Sequence, residues 1–86
     1  VDLLIPGSTS LKDKRRVLKS LIERVRLKFG VSCSELDAQD LWQRSVVGVA
    51  CISGSNAGAV DTIENVLAWM GRQDDFEVTG VAKEVR

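Results

Sequence analysis

Residues 31–53 read VSCSELDAQDLWQRSVVGVACIS, and this stretch decides the fold. Val31 to Ala38 and Arg44 to Ser53 are rich in β-branched and small residues and carry no helical period. A short polar stretch containing Trp42 separates them, so the two runs read as a β-hairpin. With its tip at Trp42, residues whose numbers sum to 84 face each other, which sets Cys33 opposite Cys51.

Each side of the hairpin carries a helix. Upstream, Leu11, Leu18, Leu21, Ile22, Val25 and Phe29 recur at spacings of three, four and seven. Ser10 followed by Asp13 forms a capping-box pattern at the start, and Gly30 supplies a residue able to turn left-handed at the end. Downstream, Val60, Ile63, Val66, Leu67 and Met70 follow helical spacing after a loop of Gly54, Ser55, Asn56 and Gly58. That helix ends near Gly71, and Trp69 lies at the edge of its apolar stripe.

Two strands frame the whole. Val1 to Ile5 is an apolar run stopped by the only proline, Pro6. It begins at residue one without an initiating Met, so a longer strand is expected in the native gene product. After a turn at Asp74 and Asp75, Phe76 to Val85 alternates apolar and polar residues. The order βαββαβ predicts one α+β domain over residues 1–86, a ferredoxin-like sandwich in which a four-stranded antiparallel sheet carries both helices on one face. Both alternating sets of the third strand are largely apolar, Val46, Gly48, Ala50, Ile52 and Val47, Val49, Cys51. The open sheet face is therefore expected to be covered, and a second copy of the chain, giving a homodimer, is the simplest cover.

Composition narrows the function. No membrane span and no leader is predicted, since the longest apolar stretch, Val46 to Ile52, is far too short, and a cytoplasmic protein is expected. Histidine and tyrosine are absent, and the cysteines form no CxxC pair. Both read as small buried hydrophobes, with no metal and no cofactor expected. No base stands at a recognisable spacing from a nucleophile, so no catalytic residue is assigned and an enzyme is not expected. Glu35 and Asp37 are expected to share one strand face.

Charge is the outstanding feature. Between Leu11 and Lys28 stand Lys12, Lys14, Arg15, Arg16, Lys19, Arg24, Arg26 and Lys28 against Asp13 and Glu23, a local charge of +6 in a chain that is neutral overall. Lys12, Lys14, Arg15, Arg16 and Lys19 form a candidate surface for nucleic-acid phosphates, weighed against a merely solvated helix face. Trp42, Gln43 and Arg44 offer a secondary contact, an aromatic among hydrogen-bonding groups; the plainer alternative folds Trp42 back over the sheet or into a dimer seam. Gly7, Ser8, Thr9 and Ser10 bring small residues to a helix N-terminus, where an anion can bind, although capping already accounts for Ser10.

At Pro6 to Leu21, PGSTSLKDKRRVLKSL, and at Leu36 to Arg44, LDAQDLWQR, the sequence resembles the YlxP-like family, a bacterial family of unknown function also designated domain-of-unknown-function family 503. The likeness covers nearly the whole chain. It implies a ferredoxin-like fold, no established enzyme activity, and genes that often neighbour those of a translation initiation factor and a ribosome-binding factor. The chain departs from that pattern at Ala38, where the family usually carries a histidine. Together with the charge asymmetry, the resemblance leads to an expected non-catalytic accessory protein that binds RNA or a ribosomal particle. A small-molecule-sensing module of the ACT type, with its effector beside Gly7 at a dimer interface, is the alternative.

Overall fold

A computed structural model describes residues 1–85 and gives the chain in order as β1 (Asp2–Leu4), α1 (Leu11–Phe29), β2 (Ser32–Asp37), β3 (Arg44–Ala50), α2 (Asn56–Met70) and β4 (Glu77–Gly80). The strands form one sheet in the order β2-β3-β1-β4, every neighbouring pair antiparallel. This is the predicted α+β ferredoxin-like arrangement. Among the described residues no helix is long and apolar enough to cross a membrane.

Local chemistry sets the helix ends. Ser10 sits in extended backbone and its Oγ accepts the Asp13 N–H at 3.1 Å, satisfying a first-turn donor. Gly30 adopts φ 63° and returns its N–H to the Arg26 carbonyl, a left-handed closure that costs other residues about 1–2 kcal/mol. Ser55 caps α2 in the same way through the Gly58 N–H.

The core lies between one sheet face and the two helices. Leu18, Leu21 and Val25 of α1 and Val66 and Met70 of α2 pack over Leu3, Cys33, Val47 and Phe76. Phe29 meets Trp69 edge-on between the helices, their ring centroids 6.2 Å apart. Val60, expected in the α2 stripe, is exposed. Burial raises the pKa of the Cys33 thiol, whereas Cys51, expected to be buried, is only half-buried beyond the end of β3.

Three expectations are corrected. Cys33 pairs with Val49 rather than Cys51, because partner numbers sum to 82 along this hairpin and its centre lies near Leu41. The reason is the turn: Ala38 takes φ 61° and its carbonyl accepts the Leu41 N–H at 3.1 Å, closing the loop earlier than a tip at Trp42 requires. A bulge between Glu35 and Asp37 then breaks the alternation, so these two carboxylates do not form a face pair. β4 ends at Gly80 rather than Val85, since its one partner is the three-residue β1, and Gly80 is already opposite Asp2.

Candidate nucleic-acid interface

The stripe that α1 buries determines what it shows to solvent. With Leu18, Leu21 and Val25 turned inward, Lys12, Arg15, Arg16 and Lys19 lie exposed on its first two and a half turns. Lys12, Arg15 and Lys19 make no hydrogen bond or ion pair among the described residues. Arg16 reaches the Asp13 carboxylate at 2.8 Å yet stays 76% exposed, so its charge remains available.

Lys14 does not belong to this ridge. Its side chain is 1% exposed and crosses into the hairpin, where Nζ stands 3.0 Å from Glu35 Oε2 and donates to the Ala38 carbonyl. An ammonium so enclosed cannot contact a phosphate, which removes it from the candidate interface. The sequence did carry a signal: Leu11, Lys14, Leu18, Leu21 and Val25 follow an alternating three-four spacing, which puts Lys14 on the core stripe.

The other basic residues of α1 lie further along the helix and make contacts within the chain. Arg24 lies 5.2 Å from the Trp69 ring centroid, donates to Gln73 Oε1 at 3.1 Å and pairs with Asp75 at 3.4 Å, fastening α1 to the end of α2. Arg26 donates to the Cys33 carbonyl of edge strand β2 at 2.7 Å. Lys28 lies over the Phe29 ring at 5.9 Å. Six of the eight cations of α1 are thus exposed, Lys12, Arg15, Arg16 and Lys19 gathered on its N-terminal half and Arg26 and Lys28 near its C-terminal end.

The turn formed by Gly7, Ser8, Thr9 and Ser10 does not present itself to an anion. Ser8 is buried, with its N–H given to Ile5 O and its hydroxyl to Ser10 O. Asp13 occupies the position an anion needs: its Oδ2 accepts both the Thr9 hydroxyl at 2.7 Å and the Thr9 N–H at 3.2 Å. Those bonds, helped by Arg16, hold the Asp13 carboxyl below its ordinary pKa. The adjoining shallow cavity of about 350 Å³ is lined by Asp13, Asp74 and Asp75 with Arg16. Its acidic wall repels a second anion, which corrects the anion-binding expectation for this turn.

The hairpin residues divide between two places. Gln43 Nε2 donates to Ser8 O at 3.1 Å and Pro6 O at 3.4 Å, tying the hairpin to the β1–α1 turn. Arg44 pairs opposite Leu4 and alternates with buried Ser45 and Val47, so it points to the sheet face away from the helices. Trp42 precedes it, 55% exposed rather than folded into the core. The secondary contact expected of Trp42, Gln43 and Arg44 is therefore not continuous with the α1 ridge. What the structure does join is the pair of segments 6–21 and 36–44, through Gln43 at the turn and through Lys14 at Ala38.

Residues 1–83 match the model of a family described as "Protein of unknown function (DUF503)". The chain is also similar to the "Uncharacterized protein YlxP" of Bacillus subtilis (strain 168), at 40% identity over 78 residues, covering 91% of this chain and 85% of that protein. The chain belongs to the DUF503 family.

Proposed function

We propose that this member of the DUF503 family is a non-catalytic accessory protein of the cytoplasm that binds RNA, within translation or ribosome assembly, through the exposed cations of α1. The observation that carries the reading is the group Lys12, Arg15 and Lys19. Three positive side chains on successive turns lack any carboxylate partner among the described residues, and Arg16 stands beside them. A phosphate chain meeting them releases condensed counterions, the driving force of sequence-independent binding. The helix is capped at both ends, by Ser10 and by Gly30, so the backbone that carries the cations is ordered before the ligand arrives. The reading includes a homodimer joined through the sheet face that no helix covers.

The test is a fluorescence-anisotropy titration of an rRNA hairpin at two salt concentrations. Four phosphate contacts give a slope of log affinity against log salt on the order of −3. Arg15→Glu combined with Lys19→Glu is expected to abolish binding. Undetectable binding at low salt, or affinity indifferent to both salt and this double substitution, overturns the reading.

A further inference from the structure

The outward face of α1 changes its chemistry along its length. Lys12, Arg15, Arg16 and Lys19 are followed on the same face by Glu23, four residues beyond Lys19, and by Arg26, seven beyond it. Both are exposed. Glu23 makes no hydrogen bond or ion pair among the described residues, so its carboxylate stands as an unpaired acceptor in a row of cations. Arg26 gives Nη2 to the Cys33 carbonyl at 2.7 Å, which steadies the guanidinium and leaves its other N–H groups to donate elsewhere. Lys28 stands about 200° round the helix from Arg26 and lies off this face. Along the axis, the centre of the N-terminal cations and Arg26 are about 16 Å apart, with Glu23 between them.

A single row of phosphates laid along this face meets the Glu23 carboxylate midway and is repelled there. The face also carries no aromatic side chain on which the unstacked bases of a single strand can lie. A helix crossing a groove avoids the repulsion, because phosphates then line only the two ends of the crossing. In A-form RNA the wide, shallow minor groove displays 2′-hydroxyls between its two phosphate rows, and a hydroxyl donates to a carboxylate. We infer that α1 binds double-stranded RNA across the minor groove, with the four N-terminal cations on the phosphates of one strand, Arg26 on those of the other and Glu23 accepting from 2′-hydroxyls between them. The inference rests on the RNA binding proposed above and specifies the RNA as duplex. A DNA duplex lacks the 2′-hydroxyl, and its minor groove, about 6 Å wide, does not admit a helix about 10–12 Å across. Against DNA the Glu23 carboxylate therefore has nothing to accept from and only repels.

Fluorescence anisotropy with three probes of matched sequence tests the crossing: an RNA duplex of about 16 base pairs, the corresponding DNA duplex, and one RNA strand alone. The RNA duplex is expected to bind about tenfold or more tightly than either of the others. Arg26→Ala is expected to lower the magnitude of the salt slope for the RNA duplex by about 0.7–0.9. Glu23→Ala is expected to weaken RNA-duplex binding about threefold or more while DNA-duplex binding holds or tightens. Both residues are exposed, and circular dichroism checks that the variants stay folded. Undetectable binding of every probe at low salt overturns the RNA-binding reading and this inference together. RNA and DNA duplexes bound alike, a single strand bound as tightly as the duplex, a slope unmoved by Arg26→Ala, or tighter RNA-duplex binding by Glu23→Ala overturns the groove crossing while leaving phosphate contact by the basic ridge standing.

Discussion

The Lys14 ammonium lies 3.0 Å from the Glu35 carboxylate in a place that solvent reaches only from the Glu35 side, where 21% of that side chain is exposed. The same Glu35 Oε2 accepts the Ser45 hydroxyl at 2.6 Å, and Lys14 also donates to Ala38 O. A helix, both hairpin strands and the hairpin turn are thereby fastened at one charged knot. Removing one partner strands the other, and that asymmetry outweighs the small net worth of the pair itself.

Lys14→Met is expected to cost about 2–3 kcal/mol, less than a fully buried pair because Glu35 keeps some access to water. Lys14→Met combined with Glu35→Leu is expected to cost less than Lys14→Met alone. Urea denaturation midpoints check both, with the slope unchanged if folding stays two-state.

Thr9 and Asp13 predict a pH response. The folded-state pKa of Asp13 is lowered, chiefly by the Thr9 hydroxyl and N–H, so this carboxylate contributes stability at pH above its unfolded value, about 3.9, and the contribution is lost as pH falls through the folded value. Thr9→Val removes the hydroxyl donor and is expected to move the Asp13 pKa upward toward the ordinary value. NMR titration of the carboxyl carbon reads the shift directly; an unmoved pKa contradicts the assignment.

Ala38 holds a left-handed conformation at φ 61°, which costs a non-glycine residue about 1–2 kcal/mol. Glycine avoids that cost but loses about 0.5–1 kcal/mol in the greater freedom of its unfolded chain. Ala38→Gly is therefore expected to stabilise by about 0.5 kcal/mol, and Ala38→Val to destabilise; thermal melting distinguishes them.

Arg24 separates fastening from binding. Arg24→Ala removes the contacts to Trp69, Gln73 and Asp75 and is expected to lower stability by about 1 kcal/mol. RNA affinity and its salt slope are expected to stay as they were, whereas Lys12→Ala lowers the magnitude of that slope by about 0.7–0.9.

The element order and the helix ends were legible because each depends on neighbours in sequence: Ser10 with Asp13, Gly30 after Phe29, period 3.6 against period 2. The hairpin register was not, because it turned on one alanine entering the left-handed region and on a bulge beside Leu36, neither of which has a residue signature here. Of the candidate interface, Lys12, Arg15, Arg16 and Lys19 were legible as outward charges. Lys14 was misread because its charge outweighed its place on the core stripe, and its partners Glu35 and Ala38 are more than twenty residues away. The acidic occupation of the Ser8–Ser10 turn was likewise hidden: Asp13 read as a cap for Ser10, whereas its carboxylate bonds to Thr9.

β1 is three residues long yet sits in the middle of the sheet, where Leu3 lies opposite both Ser45 and Val78. Its two neighbours come from remote parts of the chain, and among the described residues β4 pairs with β1 alone. The hairpin and α1 are able to assemble from local encounters, but the last strand waits until the opposite ends of the polypeptide find each other. Such distant closure slows folding, and it makes the β1–β4 seam the place where stopped-flow refolding and hydrogen exchange should register the final step.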